Sequence, residues 1–263
     1  MEKLHFKCRT EIEALGEWIL ESRNIVFFGG AGISTESGIP DFRSAAGIYH
    51  MEKEIPYAPE EILSRPFFNR HPEVFYDFYK TKMIHPEAEP NPAHRLLAAL
   101  EREGRLKAII TQNIDGLHQL AGSRNVLELH GSIQRNYCMD CRRFYSLEEV
   151  MQSPEPVPQC SVCGGTIKPD VVLYGENLDE TTIERSVAAI AAADLLLIGG
   201  TSLTVQPAAH LVTYCRNGRT VLLNASSTPY DSRADLLITD PIGAVMDTLA
   251  TVVLDHGSEV RPE

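Results

Sequence analysis

Positive charge is scarce in this chain: 24 Lys and Arg against 36 Asp and Glu leave 263 residues at a formal −12. Binding to duplex nucleic acid without sequence preference needs a basic stripe, so nucleic acid is not expected as a direct partner. An acidic surface instead tolerates lysine-rich peptides. Nothing approaches the ~20 consecutive apolar residues of a membrane span, and the first residues, Met1 to Lys7, hold no secretory apolar region. The expectation is a cytoplasmic protein with no membrane partner. Internal repeats and low-complexity tracts are missing too, and cysteine is sparse. Of the six cysteines, Cys8 and Cys215 stand alone in amphipathic or apolar surroundings and read as buried thiols; the other four are paired. What remains is an ordinary globular composition, 43% hydrophobic and 23% charged, long enough for one large core plus a small satellite.

The run from Phe27 to Arg43 organises the rest. An apolar strand, Ile25 to Phe28, ends abruptly in Gly29-Gly30-Ala31-Gly32, where glycine permits a sharp turn and close approach of main-chain N–H groups to a ligand. Ser34 and Thr35 follow as hydroxyl donors and candidate helix N-caps. This is the layout of a pyrophosphate cradle, although Thr35 stands where the third small residue of the dehydrogenase fingerprint belongs. The continuation Gly38-Ile39-Pro40-Asp41-Phe42-Arg43 adds an aromatic and an arginine that an ordinary connecting turn does not need.

Helical spacing of Ile12, Leu15 and Ile19 predicts a helix over 9–21. From 45 to 92 prolines break the chain into short, aromatic-rich pieces, a helical insertion beside the main sheet. Alternation resumes with a helix carrying Leu96, Leu97 and Leu100, a strand at 108–110, another at 126–129, and extended chain at 170–174. A helix over 183–193, strands at 195–198, 221–223 and 236–238, a helix over 207–214 and a last helix from Ile242 complete it. Short apolar strands alternating with helices mean an α/β fold, a parallel sheet with helices on both faces. Ligands of such sheets lie at the carboxyl ends of the strands. Those positions hold Gly30-Ala31-Gly32, Gln112-Asn113-Ile114-Asp115, His130, Gly200-Thr201-Ser202 and Asn224.

Cys138-x-x-Cys141 and Cys160-x-x-Cys163 have the spacing of two zinc knuckles, four thiolates closing one tetrahedron, with Gly164-Gly165 supplying a turn. A redox pair would need only one such motif and a helix behind it, and disulfides conflict with the missing secretion signal. A closed four-thiolate site has no open position, so the metal would be structural. His130 in Glu128-Leu129-His130-Gly131 is either a structural hydrogen-bonder or a base, and its place at a strand end beside the glycine loop favours the base. Asp115 before Gly116 suits an Asx turn equally, and Thr201, Ser202 and Asn224 suit helix capping.

Together Gly30-Ala31-Gly32-Ile33-Ser34, Gly38 to Arg43, Thr111-Gln112-Asn113-Ile114-Asp115, His130-Gly131, the four cysteines and Gly200-Thr201-Ser202-Leu203 resemble the sirtuins, NAD-dependent protein lysine deacylases, from about residue 24 to 245. The resemblance implies a Rossmann-like NAD-binding domain (1–44, 93–135 and 169–263) and a small domain made of a helical module (45–92) and a zinc-ribbon module (136–168). NAD and an acyl-lysine peptide would meet between them. Ala31, Thr35, Phe42 and Arg43 would hold the phosphates and screen the nicotinamide. Gln112, Asn113, Ile114 and Asp115 would line the ribose and nicotinamide pocket, and Thr201, Ser202, Asn224 and Ile242 the adenosine half. His130, with Asn113, would carry the catalysis, His130 as general base toward a ribose hydroxyl. Val171, Val172, Tyr174, Gly175 and Glu176 would form the strand on which substrate backbone docks. The products implied are free lysine, nicotinamide and O-acetyl-ADP-ribose.

The sequence departs from the family pattern at Gly29, Ser44 and Tyr174, where many members have threonine, glycine and phenylalanine. Members that remove succinyl or malonyl groups carry tyrosine and arginine three apart in the helical module. Here Tyr79 is followed at that spacing by Lys82, which lacks the bidentate fork for a carboxylate, so neutral acyl groups are expected. The rival readings are mono-ADP-ribosyl transfer, a dehydrogenase, and a noncatalytic NAD sensor. Chain length close to the minimal core fits a free-standing prokaryotic enzyme.

Overall fold

A computed structural model describes residues 6–42, 47–48 and 56–254. Arg43 and Ser44 therefore lie outside the described residues. In chain order, α1 (Arg9–Glu21) leads into β1 (Ile25–Gly29), followed by two 3₁₀ turns, Ala31–Ile33 and Thr35–Ser37. The helical insertion contributes α2 (Pro59–Ile62), α3 (Arg65–Arg70), α4 (Pro72–Phe78) and a π turn at Tyr79–Met83. Next come α5 (Pro92–Arg102), β2 (Leu106–Thr111), α6 (Leu117–Leu120) and β3 (Val126–Glu128). The cysteine-bearing segment folds as β4 (Gly131–Cys138), β5 (Phe144–Ser146), α7 (Leu147–Met151) and β6 (Ile167–Val171). The chain closes with α8 (Glu180–Ala192), β7 (Leu195–Gly199), β8 (Arg219–Leu223), β9 (Leu236–Ile238) and α9 (Ile242–Val253).

The six-stranded sheet runs β3-β2-β1-β7-β8-β9 with every pairing parallel. The chain leaves β1 toward one edge and returns on its other side at β7, so the strand order reverses between these two neighbours. Their carboxyl ends frame the crevice where such sheets take ligands. Along β1 side chains alternate between faces, as strand period demands. Phe27 packs with Ile12, Leu15 and Ile19 of α1, Leu96 of α5 and Leu249 of α9. Val26 and Phe28 face the other way, with Ile190 of α8 and Leu211.

A second, three-stranded antiparallel sheet, β5-β4-β6, carries the cysteines. Its residues Ile133, Tyr145 and Ile167 share one core with Phe67, Phe68, Phe75, Tyr76 and Tyr79 of the helical insertion. The two modules thus form one small lobe. The Tyr76 hydroxyl donates to the Ile167 carbonyl and ties them directly.

Several expectations need correcting. This small sheet crosses both boundaries drawn from the sequence, since β4 starts at Gly131 and β6 ends at Val171. Extended chain expected over 170–174 ends as strand at Val171, and Tyr174 instead bridges to Ser64. The helix expected over 207–214 is a 3₁₀ helix, Ala208–Tyr214. Cys8 and Cys215 are half-buried. Ser34 caps no helix.

Candidate active site

Five strand ends converge. After β1, Gly32 N–H donates to Gly200 O at 2.8 Å, so the loops following β1 and β7 are bonded to one another. Gly200 has φ +62, and a Cβ there would come within 2.2 Å of the Ile33 nitrogen. A Cβ on Gly32 would lie 2.7 Å from Gly200 Cα. The glycines are therefore required by loop-on-loop packing, a stronger demand than the ligand approach inferred from the sequence. The Gly32 amide is already committed.

From β2, Gln112 reaches across this seam: its Nε2 donates to Thr201 Oγ1 at 3.0 Å. Its carbonyl accepts from His130 Nδ1 at 2.9 Å. A carbonyl can only accept, so the proton sits on Nδ1 and leaves Nε2 with its lone pair. Burial lowers the His130 pKa, partly offset by that hydrogen bond. The ring is neutral at pH 7 with a basic nitrogen unengaged by the Gln112 contact.

Beside it, Ser34 Oγ donates to Asp115 Oδ2 at 2.7 Å and accepts from Asn113 Nδ2 at 3.1 Å. Asp115 Oδ1 accepts the Leu117 N–H at 2.9 Å, the Asx turn foreseen from Gly116. Burial nonetheless raises the Asp115 pKa, against the Leu117 amide and the Ser34 hydroxyl that lower it. Ser34, 1% exposed, joins Asp115 to Asn113, a contact the sequence reading did not draw. Its signal was the adjacency of β1 and β2, which brings the Ser34 and Asp115 loops together.

The remaining expected residues separate into rim and scaffold. Ala31 is half-buried and Thr35 exposed, its hydroxyl donating to Gly32 O at 3.0 Å. Phe42 and Ile114 both pack against the small-lobe core. Ser202 Oγ pairs with Thr204 Oγ1 at 2.8 Å, and Asn224 Nδ2 donates to Ser226 O at 2.6 Å. Ile242 is different: its side chain is buried in the main core facing Gly199, so it can offer only main chain from the first turn of α9.

The His130 carbonyl accepts from Val172 N–H at 3.0 Å, linking His130 to the segment expected to dock substrate. Arg135 braces the same junction, bridging Glu128 at 2.6 Å and Asp170 at 2.8 Å. Much of the segment is already engaged. Val171 lies in β6, opposite Gly131. Tyr174 N–H donates to Leu63 O and its carbonyl accepts from Arg65 N, both at 2.9 Å. The Glu176 carboxylate takes Leu173 N–H at 2.8 Å, Arg65 at 2.7 Å and Lys168 at 3.1 Å. Burial would raise its pKa, but these partners outweigh burial and hold it low. Glu176 is thus a hub that shapes the segment, and its neighbour Gly175 is exposed with φ +89. Tyr79, the candidate carboxylate reader, is buried at 1% exposure and stacked on Phe75.

The four paired cysteines do meet. All four Sγ atoms lie within 4.8 Å of one another, with Cys138–Cys163 at 3.4 Å and Cys141–Cys160 at 3.6 Å. None is disulfide-bonded, and four thiols at the ~3.8 Å spacing of a tetrahedron around one ion suit a metal with bonds of ~2.3 Å.

A Sir2 family model matches residues 30–207. The chain is 56% identical over 239 residues to a protein of Clostridium acetobutylicum named NAD-dependent protein deacetylase, covering 91% of this chain and 98% of that one. To a protein of the same name from Clostridium perfringens it is 57% identical over 237 residues, covering 90% and 97%. Among solved structures, a Sir2 protein described with a deacetylated p53 peptide and 3'-O-acetyl ADP ribose superposes with TM-score 0.83 at 39% identity, covering 94% of this chain and 98% of that one.

Proposed function

The chain belongs to the Sir2 family, and from that premise we propose that it is an NAD-dependent protein lysine deacetylase releasing nicotinamide and O-acetyl-ADP-ribose. The observation that carries this reading is His130. Its Nδ1–H is fixed by Gln112, which reaches the crevice residue Thr201, while its carbonyl holds Val172 at the head of the docking segment. One base with a set tautomer joins the cofactor crevice to the substrate strand.

We place a dinucleotide at the β1/β7 switch point, with Ala31, Thr35, Thr201, Ser202 and Asn224 on its rim; Arg43 joins them by the family resemblance alone. When bound, NAD supplies a glycosidic bond whose cleavage offers the ribose C1′ to the acyl oxygen. His130 Nε2 takes the proton of a ribose hydroxyl, work suited to an imidazole titrating near or below neutrality. Asp115 and Asn113, oriented through Ser34, hold the nicotinamide side, and Phe42 and Ile114 exclude water from it. Substrate backbone pairs at Gly175 and beyond, since Tyr174 is occupied. The substrate is an acyl-lysine protein or peptide.

Neutral acyl groups, acetyl first, are the preferred cargo: Tyr79 is buried in the small-lobe core, and Lys82 lacks a guanidinium. Zinc is our choice for the four-thiolate cluster, as a structural ion. The free thiols suit a reducing cytoplasm. Among the described residues no helix is long and apolar enough to cross a membrane.

Incubation with NAD and an acetyl-lysine peptide tests this. Nicotinamide should form only when the acyl peptide is present, in step with deacetylation. ADP-ribose on a protein side chain with the peptide untouched would favour the transferase reading. Faster turnover of succinyl-lysine than acetyl-lysine would refute the acyl preference.

A further inference from the structure

The cradle between β1 and Gly38 is two successive 3₁₀ turns, Ala31–Ile33 and Thr35–Ser37. Such short turns have little stability of their own, so something else must hold them in place. Two helix N-termini do. From α9, Gly243 N–H donates to the Glu36 carboxylate. From α5, the grip is Asn91.

Asn91 is the N-cap of α5, with Oδ1 accepting Ala93 N–H at 3.0 Å. That role uses only half of the carboxamide. The other half faces the cradle, where Nδ2 donates to Ile33 O at 2.7 Å and to Ser37 Oγ at 3.0 Å. The residue is 5% exposed, and its own N–H donates to His94 Nδ1 at 3.4 Å. Ile33 precedes Ser34, the residue that orients Asp115 and Asn113. The α5 and α9 helices pack in the same core, which fixes the two anchors relative to each other.

Capping alone does not require asparagine, because serine and aspartate cap as well. Only a side chain that accepts on one side and donates twice on the other serves both elements. We propose that Asn91 is a positioning residue for the dinucleotide cradle, acting through Ile33 and Ser37 and touching no ligand itself. This rests on reading Ala31–Ser37 as the NAD loop.

Asn91→Ser keeps the cap acceptor and loses both donated bonds. Asn91→Asp keeps the cap and turns a carboxylate oxygen toward the Ile33 carbonyl. Ser37→Ala leaves the cap untouched and removes one acceptor. Each variant and the wild type would be measured for ADP-ribose affinity by calorimetry, for KM and kcat, and for amide exchange over 33–38. Asn91→Ser should raise the ADP-ribose Kd and the KM for NAD about tenfold, equivalent to ~1.4 kcal/mol. Its kcat at saturating NAD and its KM for peptide should stay within about twofold, and exchange over 33–38 should quicken while the body of α5 is unchanged. Asn91→Asp should be worse, and Ser37→Ala should move the same way by about threefold. ADP-ribose affinity within about twofold of wild type in both Asn91 variants, whatever the melting temperature, would reduce Asn91 to a helix cap and overturn the proposal. Should neither Asn91 variant fold, an unchanged KM for NAD in Ser37→Ala overturns it. Wild-type protein that binds no ADP-ribose would overturn the reading of the loop itself.

Discussion

Ser34 and Asp115, 81 positions apart in the chain, are joined by a 2.7 Å hydrogen bond from hydroxyl to carboxylate at the ends of adjacent strands. The same hydroxyl accepts from Asn113, so Ser34→Ala removes two bonds at once and exposes a buried carboxylate to weaker solvation. A hydrogen bond to a charged group is worth about 1.5–3 kcal/mol. The expected outcome is a loss of kcat/KM for NAD of about 10- to 100-fold. Asp115 already has a raised pKa, and losing the Ser34 donor raises it further. A kcat/KM for NAD within about twofold of wild type would disconnect the pair from catalysis.

The burial of His130 sets a second expectation. Its folded pKa is lowered, so the basic form persists below the ordinary ~6.5 of imidazole. Wild-type kcat/KM should begin to fall at a lower pH than an unshifted imidazole would set. His130→Ala should abolish peptide deacetylation, by about 10²-fold or more, with ADP-ribose affinity within a few-fold. A variant that still deacetylates would assign the base elsewhere.

Acid stability should depend on a different pair. His94 and His118 are buried with ring centroids 4.8 Å apart. Burial, with Arg95 assisting, lowers His94 to about 4; burial, with His94 assisting, lowers His118 to about 3. Both folded values lie below the unfolded ~6.5, so the unfolded chain takes up protons first as pH falls. Their contribution is complete above ~6.5 and is lost toward the folded values at up to ~1.4 kcal/mol per pH unit per histidine. His118→Phe keeps a ring against Phe27, 5.9 Å away, and removes two nitrogens with no partner among the described residues. Urea midpoints between pH 4 and 6.5 should decline about half as steeply in the variant. An equal slope would mean that other groups govern acid unfolding.

The metal site should depend on a residue outside the four cysteines. The Tyr145 hydroxyl donates to Cys160 Sγ at 3.1 Å and accepts Ser161 N–H at 2.9 Å. Bonds of this kind orient a ligand and favour its thiolate. Tyr145→Phe should speed zinc transfer to a chelator dye by about 10- to 100-fold with the same one-ion stoichiometry. Complete removal of metal, or Cys141→Ala, should unfold the small lobe by near-UV circular dichroism. A metal-free protein with full stability and activity would contradict the structural assignment.

Much of this was legible along the chain because its causes are local. The 3.6-residue spacing of Ile12, Leu15 and Ile19 placed α1 at its observed limits, 9–21. Runs of buried apolar residues marked β1 and β7. The knuckle spacing of Cys138, Cys141, Cys160 and Cys163 foretold the cluster, since each pair needs only its own turn. The cap of α5 at Asn91 was not drawn from the sequence, which assigned Asn91 and Pro92 to the insertion.

Contacts between strand ends were not legible, because they depend on sheet order. Sequence determined that glycines, Asp115 and His130 end strands. Tertiary structure alone decided that β1 lies between β2 and β7, and so that Ser34 meets Asp115 while Gly32 meets Gly200. It also decided that Asn91, at the edge of a proline-broken insertion, reaches back to Ile33. Tyr174 lies in chain expected to be extended, and only the fold shows that Leu63 and Arg65 occupy both its main-chain groups. Periodicity and spacing are carried by neighbours in the chain, whereas a hydrogen bond across the crevice exists only once the core has fixed which loops stand side by side.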